Sequence, residues 1–195
     1  MKKLALVIMF SLLATSAFAQ NWGSNNIGVY LDAAAESNCG YGTGLIPCYL
    51  VGTGLETDSV GGFELKLTVA GPGFGPMDAT YPVDAANLAN RPNEWFVGFG
   101  QPAPVSGGSV VFMTFNLLVT NDLAPTELFI EPIYFPSIPG SCVYLDGADY
   151  NVQLPLHNST GDPLTGDTVP VMTVNGQCAV PSEDASWGEV KSLFR

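Results

Sequence analysis

One histidine, His157, stands in the run Leu154-Pro155-Leu156-His157-Asn158-Ser159-Thr160. Acid–base catalysis needs a group that titrates near neutral pH, and nucleophilic catalysis needs a base beside the nucleophile. A lone histidine where a strand passes into a loop reads as polar surface. No Gly-x-Ser-x-Gly elbow is present. The Gly-Thr-Gly-Leu segments at 42–45 and 52–55 lack the full glycine spacing of a nucleotide loop and open no helix, so they read as turns. Paired carboxylates for glycoside hydrolysis stay open, because sequence does not give their separation. Acids next to aromatics, such as Glu94 beside Trp95, occur by chance in any acidic β protein. No catalytic residue is assigned, and the chain reads as a non-enzyme.

Binding chemistry has more candidates. Asp146, Asp149, Asp162 and Asp167 sit in turn-rich stretches and are weak calcium donors, without the EF-hand spacing. No other cofactor is expected. Trp95, Phe99, Tyr134 and Tyr150 are candidates for a sugar-stacking platform, against the alternative that alternating aromatics fill a core. The cysteines are Cys39, Cys48, Cys142 and Cys178. An even count in an exported chain predicts disulfides. Closure of local loops favours Cys39–Cys48 and Cys142–Cys178, each stabilising by about 2.5–4 kcal/mol. No C-x-x-C pair supports zinc.

Export itself is read from the N-terminus. Lys2 and Lys3, the apolar run Leu4–Leu13 and Ala17-Phe18-Ala19 form a secretory signal, with cleavage expected before Gln20. The organisation is then 1–19 signal peptide, 20–180 one domain, and 181–195 linker and tail. The expected location is extracellular or at the cell surface, with no transmembrane anchor. Beyond the signal, four basic residues face 18 acidic ones, a net charge of −14. Such a balance disfavours nucleic acid and anionic membranes as partners.

The elements that must position these side chains are strands. In Gly61–Ala70, Phe63, Leu65, Leu67 and Val69 alternate with Glu64, Lys66 and Thr68, the pattern of a half-buried strand. In Ser109–Thr120, Val111, Met113, Phe115, Leu117 and Val119 make a matching face, and the two are expected to pair. Further strands are expected at Ile27–Asp32, Leu45–Val51 (with Pro47 marking an edge or bulge), Glu94–Phe99, Glu127–Phe135, Cys142–Leu145, Tyr150–Leu156 and Thr168–Val174. Gly71–Pro76 reads as a loop and Val83–Asn90 as a weak helical turn. The fold predicted is an all-β antiparallel β-sandwich of about 8–9 strands, jelly-roll or immunoglobulin/cohesin-like. In the tail, Ser186-Trp187-Gly188-Glu189 fits a capping box opening a short amphipathic helix. Trp187, Lys191, Phe194 and Arg195 are its candidate recognition residues.

Gly61–Ala70, the loop and Trp-Phe-x-x-Phe strand that follow, and Gly108–Val119 resemble the layout of cohesin-like and related carbohydrate-binding β-sandwiches. No dockerin-binding residues carry over. The ending Trp187–Arg195 resembles a short tail of uncharacterised exported bacterial proteins and implies no activity. The expected function is a secreted, non-catalytic binding or structural module whose ligand is a polysaccharide or a protein. A secreted polysaccharide hydrolase and a structural envelope or matrix subunit are the alternatives.

Overall fold

The computed structural model describes residues 24–160 and 169–177. The expected signal, Asp162, Asp167, Cys178 and the tail with Trp187, Lys191, Phe194 and Arg195 lie outside the described residues.

Within them the chain forms strands and no helix. In order they are β1 (Asn26–Tyr30), β2 (Cys39–Gly40), β3 (Gly44–Thr53), β4 (Ser59–Ala70), β5 (Gly73–Thr80), β6 (Ala85–Asn87), β7 (Glu94–Pro104), β8 (Ser109–Val119), β9 (Thr126–Glu131), β10 (Cys142–Asp146), β11 (Gln153–Asn158) and β12 (Met172–Val174). One layer runs β11–β1–β3–β8–β5. The other is built on β4, which pairs β7, β9 and β10, with β6 beyond β7 and β12 then β2 beyond β9. Strand β11 joins both layers, parallel to β1 and antiparallel to β10. The fold is an all-β sandwich, and the count exceeds 8–9 because the short β2 and β6 and the irregular β5 also pair.

Alternation in β4 has the predicted consequence: Phe63, Leu65 and Leu67 are fully buried. Its expected pairing with β8 is not made. The two strands lie in opposite layers and meet across the core, where the Phe63 and Phe112 rings are 5.3 Å apart. Period-two patterning states which face is buried, and two buried faces can be satisfied by opposition as well as by adjacency. The β8 face also changes partway along. A bulge opposite Leu50/Val51 inserts Phe112, so Val110 and Phe112 turn inward while Val111 is only half-buried. On β4 a second bulge falls between Val60 and Gly62, where a Cβ on Gly62 would stand 2.3 Å from the Val97 carbonyl oxygen. Pro47 sits on the part of β3 that overhangs β1, whose pairing begins only at Tyr49, so its missing N–H leaves no gap in that ladder.

Three further expectations need correction. The Gly71–Pro76 loop passes into β5, an edge strand against β8 with two register shifts that accommodate its glycines and proline. The helical turn at Val83–Asn90 is instead β6, because hydrogen bonds to β7 satisfy the backbone of Ala85–Asn87. The cysteine pairing differs most. Cys48 and Cys142 are free, buried thiols. Cys48 occupies an inward position of β3, its Sγ 3.8 Å from Met172 Sδ and donating to the Ile46 carbonyl at 3.5 Å. Cys39 is disulfide-bonded, but to neither of these. It lies on β2 beside β12, its register partner being Thr173. Strand crossover therefore overrides the short separation of Cys39 and Cys48 in sequence.

Candidate binding groove

The outward face of the β4 layer carries the site. Outward positions of adjacent strands bring together Lys66 (β4), Glu94 and Phe96 (β7) and Glu131 (β9), with Lys66 in register with both Glu94 and Glu131. Two connections frame this face, Leu88–Asn93 before β7 and Pro132–Ser141 after β9.

The first connection is shaped by asparagines. Asn87 Oδ1 accepts from the Ala89 and Phe96 amides at 3.1 and 3.0 Å. Asn93 adopts a left-handed conformation (φ 64°) that asparagine tolerates, and its carbonyl accepts from Leu67 N at 2.9 Å. The second connection carries Pro132, Pro136 and Pro139, which restrict its backbone. It is anchored by carboxylates of the sheet. Glu94 Oε1 accepts from Tyr134 N at 2.9 Å. Glu64, only 4% exposed, accepts from Ser137 N at 2.8 Å and Ser137 Oγ at 2.7 Å.

These anchors hold Tyr134 and Phe135 out in solvent, 63% and 76% exposed. Their rings meet edge-on at 4.5 Å. The Arg91 guanidinium lies over the Tyr134 ring at 3.8 Å from its centroid and 5.5 Å from that of Phe135. A guanidinium seated on an aromatic face is held by the ring quadrupole and keeps its N–H edges for another partner. Beside Arg91, Lys66, Glu94, Pro132 and Tyr134 line a groove of about 470 Å³. A smaller one of about 280 Å³ shares Arg91 and Glu94 and has the apolar wall Leu88, Phe96, Ile133 and Phe135. Lys66 is already paired with Glu131 at 2.9 Å, which also accepts from Thr68 Oγ1 at 3.3 Å.

Of the four aromatics proposed from sequence, Tyr134 alone belongs to this site. Phe99 is a core residue, edge-on to Phe63 at 6.0 Å. Trp95 faces inward and is packed against the core, its indole N–H buried without a hydrogen-bond partner among the described residues. Tyr150 is partly exposed in the β10–β11 turn, where its ring covers Gly61, and lines neither groove. Asp146 Oδ1 and Asp149 Oδ1 are spent on Asx-type turns, accepting from Ala148 N and from Asn151 N. Among the described residues no group of three or more His, Cys, Asp or Glu is arranged to hold a metal ion. Sequence reasoning missed Arg91, Phe135 and Phe96. A signal for Arg91 was available: between residues 4 and 190, Lys66 and Arg91 are the only lysine or arginine.

No protein-family model matches the chain, and no curated protein matches it. Its structure is similar to that of the sixth cohesin of scaffoldin B from Acetivibrio cellulolyticus, solved in complex with a mutant Cel5 dockerin. The TM-score is 0.43 and the sequence identity 12%, over 80% of this chain and all of that one.

Proposed function

We propose that the chain is an exported, non-catalytic binding module that recognises a protein through the groove around Arg91, Tyr134 and Phe135. The observation that carries this reading is the exposure of two adjacent aromatics under one stacked arginine. Tyr and Arg are the residue types that dominate interface energetics, and a rigid aromatic is presented at little entropic cost. A sugar-stacking platform fits less well. A pyranose needs an open ring face, whereas Arg91 covers one face of Tyr134 and Phe135 meets that ring edge-on. A hydrolytic reading also loses support here, because Glu64, Glu94 and Glu131 each accept hydrogen bonds that hold the scaffold. Export rests on the signal-like N-terminus.

A random 12-residue phage-displayed peptide library and a glycan array, applied in parallel to the full chain, test this. The expected result is retained peptides whose binding drops at least about tenfold with Tyr134→Ala/Phe135→Ala, as removal of a hot-spot pair should do. Glycan binding that needs these two rings, with no peptide retained, would replace the protein ligand by a polysaccharide.

A further inference from the structure

Every lysine and arginine between residues 4 and 190 lies in this one groove, in a chain with 18 acidic residues. The two cations are not equivalent. Lys66 is neutralised by Glu131. Arg91 has no carboxylate within ion-pair distance among the described residues, the Lys66–Glu131 bridge being the only ion pair there. It is exposed, fixed over Tyr134, and bordered by the apolar wall of Leu88, Phe96 and Phe135.

Resting on the reading of this groove as a protein-binding site, we propose that its ligand is a peptide segment presenting one carboxylate to Arg91 beside an apolar side chain. The guanidinium fork matches a carboxylate bidentately, and its ring contact lowers the cost of ordering it. The neighbouring apolar wall receives the adjoining side chain. A single carboxylate is favoured over a polyanion by the surroundings. Glu94 lines the groove beside Arg91, and Glu64 lies on the adjoining strand in register with Phe96, so a chain of closely spaced charges would meet their repulsion next to Arg91. The −14 background also makes Arg91 a discriminating contact, since elsewhere on the domain an acidic segment meets carboxylates.

The test takes peptides recovered from the random library on the full chain and measures their affinities by fluorescence polarisation. The expected peptides carry Asp or Glu next to an aliphatic or aromatic residue. Exchanging that acid for its amide should weaken binding about 10- to 100-fold, the range for a charge-assisted hydrogen-bond pair. Arg91→Gln should remove the discrimination between acid and amide, and Arg91→Lys, which keeps the charge and loses the fork, should fall between. Melting curves of both variants check that the exposed substitution leaves the fold intact. Peptides that tolerate the amide, or bind Arg91→Gln unchanged, overturn the carboxylate assignment while leaving the groove in place. No peptide binding that depends on Tyr134 and Phe135 overturns both. Retention on polygalacturonate in affinity electrophoresis that Arg91→Gln abolishes would replace the peptide by a uronate polysaccharide.

Discussion

Cys48 and Cys142 each bury a thiol in the interior, and burial pushes both up to about 12 from an ordinary value of 9.0, with Glu64 and Glu131 adding to the effect at Cys142. The unfolded chain therefore gives up these protons first as pH rises. The stabilising contribution is whole below about pH 9 and is lost progressively toward pH 12. Tyr30, Tyr81 and Tyr144, also raised by burial, extend the fall above pH 10. Thermal melts should show a declining midpoint above pH 9, and Cys48→Val should make that decline shallower. A midpoint constant to pH 11 would contradict thiol burial. Iodoacetamide at pH 8 should label these two residues only after denaturation, since the thiolate is the reactive form. Nothing in the spacing of four cysteines separates buried thiols from a disulfide. The alternation of β3 comes closer, because Cys48 shares the inward parity of Leu50.

At the scale of elements, the Pro132–Ser141 connection depends on Glu64. Glu64→Ala removes two acceptors and leaves the Ser137 amide without its partner, at a cost of about 1.5–3 kcal/mol. Hydrogen exchange of the Ser137 amide should quicken, and ligand affinity should fall although Glu64 does not line either groove. Unchanged exchange would show that the prolines alone set the connection. Strands with clean alternation, β4, β7 and the outer half of β8, were legible in the sequence because one face of each meets the core. Strand β5 was not, since its glycines and Pro76 advertise a loop and only pairing with β8 makes it extended. Val111 was assigned to the inward face, which Val110 and Phe112 occupy instead, for a related reason: a bulge shifts inward parity by one residue, and no composition cue marks it.

For the whole molecule, the two layers are held together by aromatic contact across the core. Phe112, fully buried, reaches from the β8 layer to Phe63 of the β4 layer. Phe112→Ala should cost about 3–5 kcal/mol in denaturant melts. A loss under about 1 kcal/mol would mean that the layers do not meet there. The sandwich class was readable from strand patterning and turn chemistry, while the layer assignment of each strand was not, because it depends on crossovers such as β11 joining both layers. The site was readable in part. Tyr134 was among the four stacking candidates, but its meeting with Arg91 joins residues 43 positions apart in sequence, and only the register of β4 with β7 and β9 brings them together. Amide chemical-shift mapping of the full chain, titrated with a library-derived peptide, addresses recognition directly. Perturbations confined to 88–96 and 132–137, and lost with Tyr134→Ala/Phe135→Ala, are the expected result. Perturbations gathered on the β5 edge, or unaltered by that double substitution, would contradict recognition at the Arg91–Tyr134–Phe135 groove.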